Sequence, residues 1–459
     1  MRADGDVLLV SCYALGHQPL SLAGAQGALR AAGFRPRLLD TSRTRLRPAD
    51  LAAPRLIAIS VPMHTALRLG AEVAQTARAL GSTAVIVCFG LYAPLNEAHL
   101  RGCGVDVVLG PENVDELVLL ARLLDEKSRD EALREFEAVR HKELRPRRPG
   151  LEILDRQGLP PLTDYVQLRH GGRLVTVGYA EGTRGCKHVC RHCPITPVYQ
   201  GRFFALDRAT VLDDISRQVA AGAGHITFGD PDFLNGPTHA LRLVRELHTR
   251  HPDVTWDATI KVEHILKHRE LFTELKSLGC LFVVSAVESL SPVVLDKLHK
   301  RHGPDDIRVA LQVVRDAGIT LRPTFVAFTP WTGAADYLEM ARFILDEDLL
   351  DAVDPVQLAV RLLIPPRSAL LEVCQGEPWL GPLHQPSLSH IWTHPDPRMD
   401  ALAQELADLA AEAAGQGEDS VATMLRMLEV AQQRLGVALK MPPQRPHRIA
   451  PGLTENWFC

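Results

Sequence analysis

The 459-residue sequence lacks long apolar runs, an excess of one charge and a high aromatic content. Aromatic residues make up 5% of the chain, and 51 Lys and Arg against 55 Asp and Glu give a formal net charge of −4. This near balance excludes the global basic field that holds nucleic acid, so we expect no nucleic-acid partner. No stretch approaches the roughly 18 apolar residues of a membrane span, so no membrane association is expected.

The N-terminus, MRADGDVLLV, lacks a long apolar segment and a small-residue cleavage site, and therefore does not resemble a secretion signal. The chain has nine cysteines, an odd number. In a cytoplasmic protein, which we expect this to be, cysteines favour metal binding or thiolate chemistry over disulfides.

Apolar strand patterns alternate with helical patterns twice along the chain. The first series predicts a flavodoxin-like α/β domain with a parallel sheet over residues 1–125. A helical and Pro-rich linker is expected at 126–168. The second series predicts a partial (β/α)6 barrel over 169–370, whose reactive groups lie at the C-terminal ends of its strands. A mostly helical C-terminal extension is expected at 371–459.

The candidate barrel strands alternate with helical segments, as the βαβ pattern requires. They are residues 173–179, 225–228, 254–260, 281–287, 320–328 and 355–363.

The most specific local pattern is GCKHVCRHCP at residues 185–194, which spaces Cys186, Cys190 and Cys193 as Cys-x3-Cys-x2-Cys. It follows the first predicted barrel strand. Three thiolates on one loop can bind three irons of a [4Fe–4S] cluster and leave the fourth iron open to another ligand. The alternatives are a structural zinc site that includes His188 and His192, or three unrelated cysteines.

This motif resembles the signature of radical S-adenosylmethionine (SAM) enzymes, with His192 at the position usually held by an aromatic residue. The resemblance implies that the three cysteines hold the cluster and that the open iron binds the amino and carboxylate groups of SAM. An electron from the reduced cluster then cleaves a carbon–sulfur bond, usually forming a 5′-deoxyadenosyl radical. The resemblance therefore also implies an electron donor, such as flavodoxin or ferredoxin, and a substrate that the sequence does not identify.

Further residues stand where the resemblance places SAM contacts. The segment GDPD at 229–232 follows the second barrel strand, where relatives bind the SAM amino group, and SAVES at 285–289 ends the fourth, near the SAM ribose. Carboxylates suit an ammonium or ribose hydroxyls; the alternative is that these residues cap the following helices. The implied SAM-binding residues are Gly229, Asp230, Glu288, Ser289, His192 and Lys300.

The N-terminal domain resembles the cobalamin-binding domain that precedes many radical SAM cores. The best match is GVDVVLGPE at 104–112. The resemblance implies cobalamin contacts from His17, in the loop after the first strand, and Gly90, in a later turn. Leu15 and Leu20 replace the Asp and Gly that flank a cobalt-binding histidine. The alternative is that the domain only shapes the substrate channel and that His17 is a polar loop residue.

The final residues, PGLTENWFC, resemble a radical SAM subfamily with a Cys-Cys-Ala-Glu-Pro or Cys-Sec-Ala-Glu-Pro tail. The chain stops at the first tail cysteine, Cys459. Selenocysteine is encoded by UGA, which ordinary translation reads as a stop, so we hypothesise that the native protein continues with selenocysteine. A thiol–selenol pair is a soft, reducing ligand, which makes Cys459 a candidate tail ligand or redox residue. The alternative is a frayed end.

These patterns predict a radical SAM iron–sulfur enzyme that reductively cleaves SAM and modifies an unidentified substrate, with cobalamin-dependent methyl transfer as the leading reaction. One alternative is transfer of a 3-amino-3-carboxypropyl group to a thiol, selenol or metalloid acceptor. The other is a non-enzymatic iron–sulfur or zinc protein that senses redox state or metal.

Overall fold

The structure is a computed structural model that describes residues 1–140, 148, 153–441 and 450–455. Its first sheet consists of β1 (Val7–Ser11), β2 (Arg37–Asp40), β3 (Leu56–Ser60), β4 (Val85–Phe89) and β5 (Val107–Leu109). All neighbouring strands are parallel, in the order β2-β1-β3-β4-β5. This is the strand order of flavodoxin-like folds, so the predicted N-terminal architecture is confirmed.

Helices accompany this sheet in the alternation that the sequence predicts. They are α1 (Leu20–Ala31), α2 (Pro48–Ala52), α3 (His64–Ala79), α4 (Glu97–Gly102), α5 (Val114–Glu126) and α6 (Arg129–Val139), with a 3-10 helix at Pro94–Asn96. Every residue of β1, β3 and β4 is buried. These strands are continuous apolar runs because helices cover both faces of a parallel sheet. The basic part of the predicted linker, residues 144–150, lies outside the described residues except for Arg148.

The strands of the second half form a curled half-barrel and two small hairpin sheets. They are β6 (Gln167–His170), β7 (Arg173–Ala180), β8 (Thr183–Gly185), β9 (Phe203–Ala205), β10 (His225–Phe228), β11 (Thr255–Thr259), β12 (Cys280–Glu288), β13 (Thr320–Phe325), β14 (Leu380–His384), β15 (Ser389–Trp392) and β16 (Gly452–Leu453). The large sheet has the order β13-β12-β11-β10-β7-β6-β16. Its strands from β7 to β13 are parallel, and β6 and β16 extend its edge in antiparallel fashion.

The helices of the second half pack around this sheet and fill the C-terminal region. The α-helices are α7 (Ile195–Tyr199), α8 (Arg208–Ala220), α9 (Pro237–Arg250), α10 (Val262–Lys267), α11 (Phe272–Ser277), α12 (Pro292–Lys297), α13 (Pro304–Asp316), α14 (Ala334–Asp346), α15 (Leu371–Cys374), α16 (Pro397–Gln416) and α17 (Ser420–Leu435). The 3-10 helices are Leu162–Asp164, Phe233–Asn235, Arg269–Leu271, Pro355–Leu358 and Gln385–Ser387. Over the described ranges, no helix is long and apolar enough to cross a membrane.

The sixth barrel strand differs from the prediction. Residues Pro355–Leu358 form a 3-10 helix, and the strand pairing expected at 355–363 is reduced to one parallel bridge between Phe328 and Arg361. Proline fixes its own φ and lacks an N–H donor, so Pro355 suits the first turn of a helix better than a central strand. The half-barrel therefore has five complete parallel strands, and its fold class is otherwise as predicted.

The C-terminal edge of the first sheet faces the half-barrel. The Gly16 carbonyl, after β1, accepts the Val166 N–H at 2.9 Å, and Asp40, which ends β2, accepts the Tyr165 hydroxyl at 2.9 Å. Glu112, after β5, accepts the Tyr199 hydroxyl at 2.5 Å. A ligand bound at this edge would therefore lie between the two halves of the molecule.

The last described residues return to this same edge. Strand β16 pairs with β6, and Glu455 forms an ion pair with Arg43 at 3.3 Å. Its side chain also covers Gly16, where an added Cβ would lie 2.2 Å from the Glu455 carboxylate. Residues 456–459 lie outside the described part of the chain, and Cys459 is among them.

Candidate active site

The cysteine loop begins directly after β8 and leads into α7. The Cys193 N–H donates to the Cys190 carbonyl at 3.2 Å, and the Thr196 hydroxyl donates to the same carbonyl at 2.7 Å. Asn235 fixes the start of the loop, because its side-chain oxygen accepts the Lys187 N–H at 3.2 Å and lies 3.7 Å from the Cys186 thiol. This role of Asn235 was not predicted, since a lone asparagine after a short turn gives no signal for it in the sequence.

The three thiols share one buried, charged environment. Burial, together with the charges of Cys190 and Cys186, raises the pKa of Cys193 to about 12. Burial likewise raises the pKa of Cys186 to about 11. The Lys261 ammonium lies 3.4 Å from the Cys190 sulfur. A [4Fe–4S] cluster displaces the thiol protons when it binds, which leaves negatively charged thiolates. Three neighbouring thiols with a cation nearby to balance that charge therefore fit such a cluster.

A buried ion pair joins the cysteine loop to the end of β12. His192 Nε2 lies 3.0 Å from Glu288 Oε1, and the Lys300 ammonium donates to the same oxygen at 3.1 Å. Burial alone raises the pKa of Glu288, but the charges of Lys300 and His192 outweigh it and hold that pKa well below its usual range. Glu288 also has φ +67, an uncommon conformation for a residue other than glycine. The structure therefore brings three of the predicted SAM residues together.

Two other predicted SAM residues use their side chains within the protein. Asp230 Oδ2 accepts the Gly182 N–H at 2.8 Å, and its Oδ1 accepts the Thr183 hydroxyl at 2.6 Å. Burial raises the pKa of Asp230 to about 7. The Ser289 hydroxyl accepts the Ser291 N–H at 3.1 Å, ahead of α12. The Asp230 contacts are not the helix cap that was the alternative, because they join it to residues distant in the chain. Contact with SAM at Asp230 and Ser289 stays a prediction.

Gly229 is required by a close packing contact. A Cβ at this position would lie 1.8 Å from the Tyr179 hydroxyl, a distance that forces the turn after β10 or the tyrosine ring to move. We expect Gly229→Ala to lower the free energy of unfolding by about 1–3 kcal/mol through overpacking. Gly415→Ala is the control, since a Cβ there meets no atom within 4 Å in helix α16 and should stabilise by up to about 1 kcal/mol. Thermal unfolding of both variants tests this, and a wild-type melting temperature for Gly229→Ala would contradict it.

The predicted cobalamin residues lie in different surroundings. The buried His17 ring lies 4.8 Å from the Tyr179 ring and is tilted by 38° to it, and its Nδ1 has no hydrogen-bond partner among the described residues. Burial, with the charges of His225 and Arg156, lowers the pKa of His17 to about 3. Gly90 has φ +120, and a Cβ there would lie 3.0 Å from the Val61 carbonyl oxygen. Glycine is therefore needed in this turn, whereas His17 is enclosed against the barrel strand β7.

Residues 181–343, which include the cysteine loop and the Glu288 ion pair, match the Radical SAM superfamily. The chain carries a radical SAM domain. This domain binds a [4Fe–4S] cluster and SAM, and the chain is accordingly an enzyme.

One curated relative of this radical SAM enzyme is the anaerobic magnesium-protoporphyrin IX monomethyl ester cyclase of Rubrivivax gelatinosus. The two are 23% identical over 186 residues, which cover 39% of this chain and 33% of the cyclase. The chain spans 33% to 57% of the length of three curated relatives that it matches.

Two solved structures share the fold over most of the chain. The radical SAM methyltransferase TsrM of Kitasatospora setae, solved with cobalamin and a [4Fe–4S] cluster bound, has a TM-score of 0.62 at 17% identity. The match covers 95% of this chain and 100% of TsrM. The cobalamin-dependent radical SAM enzyme OxsB, solved with aqua-cobalamin and SAM, has a TM-score of 0.65 at 12% identity. That match covers 94% of this chain and 71% of OxsB. At these identities the likeness establishes the fold alone.

Proposed function

We propose that this radical SAM enzyme transfers a methyl group from SAM to an as yet unidentified substrate, with cobalamin as the methyl carrier. The main support for this proposal is that the C-terminal edge of the first sheet, which has the flavodoxin-like strand order, faces the radical SAM domain. Glu112 at this edge accepts the Tyr199 hydroxyl at 2.5 Å and lies 3.3 Å from the Arg184 guanidinium, at the two ends of the cysteine loop. Open α/β sheets bind ligands at this edge.

In this proposal Cys186, Cys190 and Cys193 ligate the cluster. A reduced [4Fe–4S] cluster supplies the electron that cleaves a carbon–sulfur bond of SAM. Glu288, held by His192 and Lys300, places a carboxylate beside the cluster loop, where it can accept hydrogen bonds from the SAM ribose. Burial of this group keeps water from competing for those hydrogen bonds.

We assign cobalamin to the sheet edge between the two halves of the molecule. Two turns there begin with glycine, Gly90 after β4 and Gly110 after β5, where a Cβ would meet the Val61 carbonyl oxygen and the Asn113 side chain, so the chain turns tightly at this edge. His17 is packed against Tyr179, and we propose that cobalamin binds without it as a cobalt ligand. TsrM and OxsB, which share the fold, were both solved with cobalamin bound.

A second candidate is transfer of a 3-amino-3-carboxypropyl group to a soft acceptor. The position of residues 450–455 favours this second candidate, because Glu455 covers Gly16 and forms an ion pair with Arg43 at the same sheet edge. Glu455, the last described residue, therefore lies next to this edge. A tail thiol could there hold a soft acceptor such as a metalloid.

Anaerobic incubation of the reconstituted enzyme with SAM and a strong reductant tests both candidates. We expect 5′-deoxyadenosine from reductive cleavage, and S-adenosylhomocysteine from methyl donation when cobalamin is supplied. Methylthioadenosine as the main product would instead establish aminocarboxypropyl chemistry. Equal product patterns with and without cobalamin, in protein that binds no cobalt, would contradict the methyl-transfer proposal.

A further inference from the structure

Three buried side chains beside the cluster loop converge on one point. Asp232 Oδ2 lies 2.6 Å from His264 Nδ1 and 3.3 Å from His188 Nε2. Each residue offers one ligand atom, and the three atoms all lie within 4.8 Å of one another. We propose that His188, Asp232 and His264 bind a divalent first-row transition-metal ion in addition to the cluster. This site goes beyond the proposed function, because it does not depend on which group SAM donates.

The three ligand atoms lack other partners. Asp232 is 0% exposed, His264 1% and His188 7%. Asp232 Oδ2, His264 Nδ1 and His188 Nε2 are all buried without a well-formed hydrogen bond, although they are close together. A buried carboxylate is costly to desolvate unless a positive charge balances it. Either a proton on His264, whose Nδ1 lies 2.6 Å from Asp232 Oδ2, or a cation shared by the three atoms supplies that charge.

Neighbouring contacts orient two of the ligands. His188 Nδ1 lies 3.4 Å from Glu263 Oε2, which leaves Nε2 to face Asp232. A carboxylate behind a histidine is the usual outer partner of a metal-bound imidazole, where it fixes the tautomer. Asp232 Oδ1 accepts the Leu234 N–H at 3.3 Å, so the remaining oxygen, Oδ2, points to the histidines.

The donor set indicates the class of ion. Two imidazoles and one carboxylate suit Zn²⁺ or Fe²⁺, which prefer nitrogen and oxygen ligands at about 2.0–2.2 Å. Ligand atoms about 2.0–2.1 Å from a tetrahedral ion lie about 3.3 Å from one another, so Asp232 Oδ2 and His264 Nδ1, now 2.6 Å apart, would move apart to admit it. The ion would join three elements: the cysteine loop through His188, the turn after β10 through Asp232, and helix α10 through His264. It would thereby fix the cysteine loop to the barrel.

Zinc binding to the full-length protein with its cluster already reconstituted tests the site. After excess Zn²⁺ is removed by gel filtration, we expect zinc equimolar with the chain and an unchanged iron content. Zinc X-ray absorption should show only nitrogen and oxygen at about 2.0–2.1 Å, without the sulfur at about 2.3 Å that a cysteine site would give.

Matched variants identify the ligands. His264→Ala and Asp232→Asn should each lower zinc affinity by more than about tenfold, since loss of a mere outer partner of a ligand already costs about 10–100-fold. His268→Ala is the control, since its ring lies 5.8 Å from the His264 ring and is not part of the triad; it should keep zinc. Failure of wild-type protein to retain zinc, zinc–sulfur scattering, or full zinc retention by a folded His264→Ala variant would each overturn the site. If both ligand variants misfold, the wild-type zinc spectrum decides.

Discussion

Replacing any one of Cys186, Cys190 and Cys193 by alanine will remove the cluster and abolish SAM cleavage. Each thiol is expected to ligate a different iron, so each variant leaves the cluster with only two of its three protein ligands. Iron should fall from about four per chain to below about one after desalting. Anaerobic iron analysis and release of 5′-deoxyadenosine measure both effects on the same sample.

Cys88→Ala provides the control for this series. Cys88 is fully buried in β4 of the first sheet, away from the cysteine loop. Its replacement therefore shows the effect of losing a buried cysteine that is not a predicted cluster ligand. This variant should retain its iron and its cleavage activity. Wild-type iron in a Cys190→Ala variant would mean that the motif does not hold the cluster.

The second large effect is expected from the buried ion pair at Glu288. Glu288→Ala leaves the Lys300 ammonium buried without its partner carboxylate, 3.1 Å away in the native protein. Breaking a buried pair on one side costs about 3–5 kcal/mol of unfolding free energy. The variant should therefore melt well below the wild type and should bind SAM weakly.

A double variant separates the structural role of this pair from its role toward SAM. Glu288→Leu combined with Lys300→Met removes both charges, and such exchanges are often neutral for stability. This protein should recover most of its thermal stability but not its SAM binding, measured by equilibrium dialysis. Glu274→Gln is the surface control, because its pair with Arg245 is exposed to solvent and contributes little to stability. Wild-type SAM binding by the double variant would exclude Glu288 from the SAM site.

Local patterns in the sequence predicted most of the parallel strands. Strand β10 has the predicted bounds, His225–Phe228, and all four of its residues are buried although His225 and Thr227 are polar. The prediction of a strand at 355–363 was wrong because Pro355 starts a 3-10 helix. The pairing of β16 with β6 could not be predicted, since two residues near the end of the chain carry no strand pattern of their own.

The site was predictable where its residues are close in sequence or follow a strand. The cysteine spacing is local, and Glu288 stands at the end of β12, where a barrel places reactive groups. Asp230 has the same kind of position, yet it bonds to Gly182 and Thr183, which only the folded chain brings to it. His188, Asp232 and His264 come from three separate elements, so no spacing in the sequence indicates that they meet.

The central claim is that the cysteine loop holds a cluster whose open iron binds SAM. Electron paramagnetic resonance of the reduced, reconstituted enzyme before and after addition of SAM tests it most directly. We predict that SAM changes the spectrum of the reduced cluster, and that the change is lost in the Glu288→Leu/Lys300→Met variant. An unchanged spectrum in wild-type protein with a full complement of iron would contradict the account.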